Sequence, residues 1–446
     1  MVLLNKDVFK NPQFYINIFV GVVISVILSF MESTTFGVRT LDLIYDNFIR
    51  HENNSARELS YTGDIDSKIS KDIVFIDFGY REYKKWGNPL ITPRDEIAHQ
   101  VHIADSNKAS IIIVDFLFDY NDCCNPLKDD SLKRVLTRIT NKGSTTKIIF
   151  PVQIDHNEHL KQLIYDDIIK KNENFFYAVP IAMVSSHDNN IRYTERYKAY
   201  KKILSNGDTV SSNIYSVSTL VKIIRENSIY SRTDIENNNI EQNLYGDKVI
   251  KTNENKNKIE EYIFKRRIKY LISPNDEYTS NIRMGNIPLG QYYNLENSKY
   301  SDLNKKIIIL GSSNPESPDN HETPVGKMSG MFILGNTINT EIMNLYPIEI
   351  PFLINDFLEV LIILLTSYIF VLQAPFKAQL ITSALLIIPF FILDIILFLN
   401  YGVILNFILP LIGISFHRNI SSLEHLWYHK KKVIQPDLNI TNNIEE

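Results

Sequence analysis

The chain has 446 residues, of which 44% are hydrophobic, and a formal net charge of −4. Such a length allows two or three structural units with a substantial core, and the charge gives no basic footprint, so nucleic acid is not expected as a partner. The two cysteines, Cys123 and Cys124, are adjacent, which excludes a structural disulfide framework within the chain.

The N-terminal part predicts a membrane anchor. Residues 1–13 are short and polar, whereas Phe14–Met31 is apolar, uncharged and just long enough to span a bilayer. No small-residue cleavage pattern follows, so we expect an uncleaved transmembrane helix over residues 14–31 with a cytoplasmic N-terminus. Gly21, Ser25 and Ser29 share one face of this helix and form a candidate dimer face, although small residues are common in such helices in any case.

Residues 32–347 contain no apolar run long enough to span a membrane, so we expect one large soluble region there. Ile73–Phe78 and Ile111–Phe118 are predicted as buried strands, the first ending in Asp77 and the second containing Asp115. An amphipathic pattern between them predicts a helix. The resulting strand-helix-strand unit has the right length for parallel pairing.

Apolar periodicity predicts further elements along this region. The predicted strands are Lys147–Val152, Phe176–Val184, Ile268–Ile272 and Ile307–Leu310, and the predicted helices are Leu132–Ile139, Ser211–Glu226 and Met331–Leu345. Ser231–Glu261 is rich in Asn, Lys and Glu and is predicted as a loop or insertion. Together these elements predict an α/β domain with a mainly parallel sheet.

The stretch Lys305–Leu345 is the one around which the region is organised. Its strand ends at Gly311, and a polar loop with Asp319, His321 and Thr323 follows before the last predicted helix. Open α/β sheets usually bind their ligands at such a loop, at the carboxyl end of a strand. We therefore expect a binding site here.

This stretch resembles the end of the type-2 CHASE domain, an extracytoplasmic sensor module named for its association with cyclases and histidine kinases. The last motif of that family runs strand, Gly, polar loop with Asp and Thr-Pro, Gly, helix. The matching residues here are Gly311, Asp319, Thr323 with Pro324, and Gly330.

The first strand-helix-strand unit resembles the same family. There, a strand ending in acidic residues precedes an aromatic residue, Pro-Arg and a helix, and the next strand ends in Asp and an aromatic residue. The matching residues are Asp77, Trp86, Pro93 with Arg94, and Asp115 with Phe116. Trp86 lies further from Pro-Arg than in the family, separated by residues 87–92. Asp188 and Arg192 resemble the family's Asp-x-x-x-Arg turn, and the resemblance covers about residues 70 to 345.

The family has three membrane helices after its sensor domain, and the C-terminal part of this chain fits that expectation. Apolar segments predict transmembrane helices over residues 348–372, 378–399 and 401–416, followed by a cytoplasmic tail over residues 417–446. Lysines and arginines in the termini and between the second and third spans fall on one side, which indicates the cytoplasm. The 32–347 domain is therefore expected outside the bacterial inner membrane.

Two acidic residues lie in the predicted spans, where ionisable groups are costly and often functional. Asp394 is the deeper one, and a hydrogen bond between helices is the simpler alternative to an ion pathway. Glu359 is expected near the outer interface.

The candidate ligand-binding residues are predicted at strand ends or in adjacent loops: Asp77, Arg94, Asp115, Asp188, Arg192, Asp319, His321 and Thr323. In a parallel sheet they would gather along one edge, where carboxylates with Arg and His could bind a polar ligand or a hard cation such as calcium. The alternative is a buried ion-pair network that orders the loops. No G-x-S-x-G or H-E-x-x-H motif occurs, so no catalytic residue, metal ligand or cofactor is assigned.

The sequence thus predicts an α/β extracytoplasmic domain held between one N-terminal and three C-terminal transmembrane helices. The family usually fuses its sensor to an output domain, and the tail after Phe416 is too short for one. We therefore expect a self-associating membrane-anchored sensor or ligand-binding protein that signals through a separate effector. Two alternatives stay open: a non-enzymatic interaction subunit of an envelope assembly, and an extracytoplasmic hydrolase that uses the Asp and His cluster.

Overall fold

A computed structural model describes residues 8–32, 34–61, 67–121, 126–185, 188–203, 208–226, 232, 235, 265–272, 283–284, 287–288, 303–346, 348–349, 352–401 and 403–404. The chain divides into two compact units. One comprises residues 1–48 with 347–446. The other comprises residues 49–346 and, because it holds most of the predicted sensor domain, is called the sensor unit below. The two adjacent cysteines, Cys123 and Cys124, lie outside the described residues.

The helices follow one another in this order: α1 (Pro12–Glu32), α2 (Thr35–Tyr61), α3 (Tyr80–Lys85), α4 (Arg94–Ser106), α5 (Pro126–Lys142), α6 (Asp166–Ile169), α7 (Val217–Glu226), α8 (Gly330–Ile342), α9 (Phe352–Leu372), α10 (Pro375–Thr382) and α11 (Ile388–Tyr401). A short 3-10 helix, Val8–Lys10, precedes α1, and a π-helical segment, Ser383–Ile387, joins α10 to α11.

The strands are β1 (Ile73–Asp77), β2 (Ile111–Val114), β3 (Lys147–Pro151), β4 (Phe175–Ala178), β5 (Met183–Val184), β6 (Ile191–Glu195), β7 (Tyr197–Ile203), β8 (Thr209–Tyr215), β9 (Lys265–Arg267), β10 (Arg283–Met284), β11 (Ile287–Pro288), β12 (Ile307–Gly311), β13 (Asn320–Thr323), β14 (Gly326–Ser329), β15 (Ile348–Glu349) and β16 (Val403–Ile404).

A five-stranded parallel sheet forms the centre of the sensor unit, in the order β1-β12-β2-β3-β4. The last strand in the chain, β12, therefore lies between the first two. The expected direct pairing of β1 with β2 is wrong, although both strands are parallel as predicted. All three are short apolar runs buried on both faces, so nothing in their own sequences specifies which two are neighbours.

Helices cover both faces of this sheet, as buried parallel strands require. Val74, Ile112 and Ile308 belong to a core cluster on the face that carries α4 and α5. On the opposite face, α8 packs closely against β1: the ring centroids of Phe75 and Phe332 are 5.1 Å apart. This approach requires Gly335, because a Cβ there would lie 2.2 Å from the Phe75 ring.

Four segments differ from the sequence-based expectation. The predicted strand Phe176–Val184 is divided into β4, at the edge of the central sheet, and β5, which pairs with β6 in a second sheet. Ser211–Glu226 was expected to be one helix, but its first part is strand β8, which pairs with β7 in a hairpin, and only Val217–Glu226 is helical. The polar loop after β12 contains the hairpin β13–β14. The predicted strand Ile268–Ile272 is not a strand, because side chains of α8 bind its backbone, as described below.

The other unit contains apolar helices that the sequence predicted as membrane spans. Residues 376–398, across α10 and α11, form the one described helix that is long and apolar enough to cross a membrane; Pro12–Ile24 and Phe357–Leu372 are shorter apolar helices. Four spans are therefore not established, and most of the predicted span 401–416 lies outside the described residues. Within this unit, Asp394 is buried and Glu359 is partly buried.

Helices α1 and α9 pack against each other, and Gly21 lies at their contact. A Cβ at Gly21 would lie 2.7 Å from Ile363 of the same chain, so this part of the candidate dimer face packs within one chain. The side chains of Ser25 and Ser29 lie outside the described set. The self-association of this face stays a prediction.

Candidate functional site

A cavity of about 500 Å³ lies at the carboxyl edge of the central sheet, within the sensor unit. The ends of β2, β3 and β12 contribute to it, together with the hairpin β13–β14 and the N-terminal half of α8. Its polar lining includes Arg94, Asp115, Gln153, Ser312, Asp319 and His321. Strand geometry explains this gathering, because the carboxyl ends of parallel strands meet at one edge.

Asp115 follows directly after β2 and faces this cavity. Burial raises the pKa of its carboxyl to about 7, with the negative charge of Asp319 as a second cause. Among the described residues, the carboxylate makes no side-chain hydrogen bond and no ion pair. The sheet therefore presents an unsatisfied acidic group to the cavity.

Asp319 and His321 lie on the same cavity wall, at the start of hairpin β13–β14. The Nε2 atom of His321 is 3.0 Å from Oδ1 of Asp319. The backbone N–H of Gly330 donates to the Asp319 carbonyl at 2.8 Å, which fixes the start of α8 against the start of the hairpin. Both polar side chains retain solvent access from the cavity.

Asp77 lies on the same face of the sheet as Asp115 but does not line the cavity. In the strand register Asp77 pairs with Gly311, and Asp115 follows Val114, which pairs with Leu310. Met331 occupies the space above Gly311, since a Cβ at Gly311 would lie 2.8–2.9 Å from its side chain. The Met331 side chain thus lies over the strand that separates the two carboxylates.

The Asp77 carboxylate forms hydrogen bonds within the fold and has a structural role. Its carboxylate accepts a 2.8 Å hydrogen bond from the backbone N–H of Ser313 and a second hydrogen bond from the Ser313 hydroxyl. Burial raises the pKa of Asp77 to about 6; the hydrogen bonds from Ser313 oppose this shift, and the charge of Glu82 adds to it. These contacts join the ends of β1 and β12.

Arg94 lines the cavity, but its guanidinium is engaged by the protein. Nη2 donates to the Leu117 carbonyl at 2.7 Å, and Nε lies 3.7 Å from the carboxylate of Asp129. The guanidinium also lies over the ring of Phe118, 4.5 Å from its centroid. Arg94 is only 1% exposed, so it orders the segment after β2 that forms one cavity wall.

Asp188, Arg192 and Thr323 lie outside the cavity lining. Asp188 and Arg192 form a two-bond ion pair across the β5–β6 turn, with distances of 2.7 and 2.6 Å. The hydrogen bonds that Arg192 donates hold the pKa of Asp188 well below its usual range. The Thr323 hydroxyl donates to the Gly326 carbonyl at 2.5 Å and closes the β13–β14 turn.

The chain matches the CHASE2 domain family over residues 20–372. It belongs to the CHASE2 family. Members of this family are extracellular sensory domains, which agrees with a binding cavity in the sensor unit. No curated protein and no solved structure matches the chain in the comparisons made.

Helix α8, the last described helix of the sensor unit, has a buried polar stripe that the sequence analysis missed. Oδ1 of Asn336 accepts hydrogen bonds from the backbone N–H groups of Leu271 and Ile272, each at 2.9 Å, and Nδ2 donates to the Ile272 carbonyl at 2.8 Å. Asn339 accepts from the Ser70 N–H at 2.8 Å. The bonds of Asn336 satisfy backbone groups of Leu271 and Ile272 that a neighbouring strand would otherwise bind.

Helix α2 contacts both the hairpin β13–β14 and the segment over residues 268–272. Nε of Arg50 donates to the carbonyl of Pro324 in the turn of hairpin β13–β14. Asn53 donates to the Tyr270 carbonyl at 3.1 Å, and Glu52 forms a 2.9 Å ion pair with Lys269. The hairpin that lines the cavity and the segment bound by α8 therefore both contact α2.

The geometry brings together four of the predicted site residues in one cavity: Arg94, Asp115, Asp319 and His321. Asp188, Arg192 and Thr323 instead bond to other protein groups outside the cavity, and Asp77 is bound by Ser313. The described residues include no group of three or more His, Cys, Asp or Glu side chains placed to hold a metal ion.

Proposed function

We propose that this CHASE2 protein is a membrane-anchored sensor whose ligand binds in the strand-end cavity. One observation supports this most: the cavity wall includes Gly330, Ile333 and Leu334 of α8, and the chain continues from α8 through residues 343–351 into the apolar helix α9. A ligand that binds two positions of α8 differently would shift their populations. The shift would pass along the chain toward the membrane helices.

A second route runs through α2. The hairpin β13–β14 contacts α2 at Arg50, and α2 begins at Thr35, only a few residues after α1. Movement of the hairpin would therefore act on both ends of the sensor unit: on α2, which follows α1, and on α8, which leads to α9. Two connections that respond together are suited to a rigid-body displacement.

The membrane arrangement that we propose has four spans, with the sensor unit outside the inner membrane of a bacterium and both termini in the cytoplasm. The long apolar helix over residues 376–398 and the extracellular character of the family support it. The proposal also includes self-association and a separate effector protein, since a sensor domain needs an output.

The cavity supports binding better than catalysis. A hydrolase would need a nucleophile oriented by the Asp319–His321 pair. The nearby hydroxyl of Ser312 instead donates to the carbonyl of Phe78 at 2.9 Å. We therefore propose that the Asp and His pair contributes to ligand recognition, and that the chain itself is not an enzyme.

The experiment is purification of the tagged full chain from its native membranes in mild detergent, with crosslinking and mass spectrometry of the proteins that accompany it. A stoichiometric partner with a cytoplasmic catalytic domain supports the sensor. Recovery with envelope proteins alone favours an interaction subunit and contradicts the sensor.

The response of that partner's activity can then be tested with variants of hairpin β13–β14. The double variant Asp319→Asn, His321→Ala should abolish the response to added ligand. The matched control Glu322→Gln, Lys327→Gln changes two exposed residues that face each other in the same hairpin and do not line the cavity, so it should respond as the wild type does. A response that persists in a folded Asp319, His321 variant contradicts the proposed site.

A further inference from the structure

The cavity has two acidic side chains, Asp115 and Asp319, and above about pH 7 their negative charge is not matched by a permanent cation of the described residues that faces them. Asp115 has no side-chain partner among the described residues, and Asp319 is paired with His321, which is charged only when protonated. Arg94 is the cavity-lining residue with a permanent positive charge, and its guanidinium points to Asp129 and to the Leu117 carbonyl. Two carboxyl groups therefore face the same space, and no described residue places a permanent cation between them.

The remaining walls are apolar and aromatic. The lining includes the aromatic residues Tyr83, Phe116 and Tyr120 and the aliphatic residues Ile181, Ile333 and Leu334. A volume of about 500 Å³ is suited to a small organic molecule. Aromatic faces also attract cations within about 6 Å of the ring centroid.

From this combination we propose that the ligand is an organic ammonium ion with an apolar or aromatic body, its cationic group bound between Asp115 and Asp319. This inference rests on the proposed function and names the chemical class of its ligand. The cation relieves the repulsion between the two carboxylates, and its N–H groups donate charge-assisted hydrogen bonds to them. A ligand with a carboxylate or phosphate would meet like charge at the same position.

The first test uses the full chain in detergent and a small library in which each apolar body carries three alternative head groups. One such set is 2-phenylethylamine, 2-phenylethanol and phenylacetate. We expect binding from the ammonium members, and Asp115→Asn should weaken it at least about tenfold. Asp167→Asn, an exposed carboxylate outside the cavity lining, is the matched control and should not alter binding.

The outcomes separate the two proposals. Preference for the alcohol or carboxylate members, unaffected by Asp115→Asn, overturns the cationic class but leaves a ligand-binding sensor. If no compound of the library binds, the result counts against the cavity as a ligand site and therefore also against the proposed function.

A second test needs no ligand. In a background with Cys123→Ser and Cys124→Ser, a cysteine is introduced at Leu117, an exposed cavity-lining position, or at Val210, an exposed control position on β8. A trimethylammonium methanethiosulfonate and its sulfonate counterpart are then compared at pH 8, where the Asp115 carboxyl is mostly ionised. The ratio of cationic to anionic labelling rates should be about tenfold higher at 117 than at 210, and Asp115→Asn should lower it. Equal ratios at the two positions overturn the acidic character of the cavity and with it the cationic ligand.

Discussion

The carboxylate of Asp319 lies directly against the backbone of Gly330, the first residue of α8. A Cβ at Gly330 would come within 2.2 Å of Oδ2 of Asp319 and 2.5 Å of Oδ1. The position of this cavity carboxylate therefore depends on the absence of a side chain at residue 330. This contact couples the start of hairpin β13–β14 to the helix that leads out of the sensor unit.

Gly330→Ala should displace Asp319 and weaken ligand binding about tenfold, while lowering stability by roughly 1–3 kcal/mol through overpacking. Ser329→Ala is the matched control at the preceding position. Its buried hydroxyl makes no hydrogen bond within the described structure, so the change should alter neither property. Binding isotherms and unfolding curves of both variants decide this, and equal behaviour of the two variants would contradict the proposed coupling.

Asn336→Ala should destabilise the sensor unit by about 2–4 kcal/mol, because the buried N–H groups of Leu271 and Ile272 lose their acceptor. Asn141→Ala removes an exposed asparagine from α5 and serves as the control. Denaturant unfolding of the full chain in detergent measures both changes. A loss of less than about 1 kcal/mol for Asn336→Ala would show that the polar stripe of α8 is not needed to bind residues 268–272.

Asp115→Asn should stabilise the protein at pH 8 but not at pH 4. Below about pH 4 the Asp115 carboxyl is protonated in both the folded and the unfolded chain. Because its folded pKa is raised to about 7, the folded chain keeps the proton between about pH 4 and 7 while the unfolded chain releases it. Stability of the wild type therefore falls as the pH rises through this window.

The gain of Asp115→Asn at pH 8 should be on the order of 1–3 kcal/mol, with Asp319, His321 and Arg94 as the charged or titratable neighbours that line the same cavity. Thermal unfolding at both pH values, with Asp167→Asn as the exposed control, measures it. A gain of equal size at pH 4 and pH 8 would rule out the ionised carboxylate as its cause.

Asp188→Asn should lower stability near pH 7 by about 1 kcal/mol after allowance for solvent screening, and should leave ligand binding unchanged. The pKa of Asp188 is held well below its usual range by Arg192, so the ion pair contributes stability above about pH 4 and loses it as the pH falls. The difference from the wild type should accordingly shrink in acid. Loss of ligand binding in a folded Asp188→Asn variant would contradict this prediction and show that the β5–β6 turn contributes to binding.

The central strands and α8 could be predicted from the sequence because their apolar residues recur with clear periodicity and end at Gly, Asp or polar loops. The same pattern placed Asp115, Asp319 and His321 at one sheet edge, and these residues do line one cavity. The strand order could not be predicted, because β12 differs from its neighbours in no feature that specifies pairing.

The surroundings of Asp77 and of the Ile268–Ile272 segment depend on tertiary contacts that sequence spacing does not reveal. Asp77 sits at the end of its strand as predicted, but Ser313 binds its carboxylate and Met331 lies over the neighbouring Gly311. The Ile268–Ile272 segment has the composition of a strand, but the backbone groups of Leu271 and Ile272 bond to the Asn336 side chain of α8. Asn336 and Asn339, two asparagines within the apolar pattern of α8, are the sequence signal for these contacts.

Hydrogen exchange of the full chain, with and without a saturating ammonium ligand from the library, tests the central claim most directly. The account predicts slower exchange in residues 115–120, in hairpin β13–β14, and in α8 and the adjoining part of α2, with no such change in Asp115→Asn. In Arg50→Ala the protection of α2 should be lost while that of the cavity remains. Protection confined to segments away from the cavity, or the same protection in Asp115→Asn, would contradict the strand-end cavity as the site where this CHASE2 domain receives its signal.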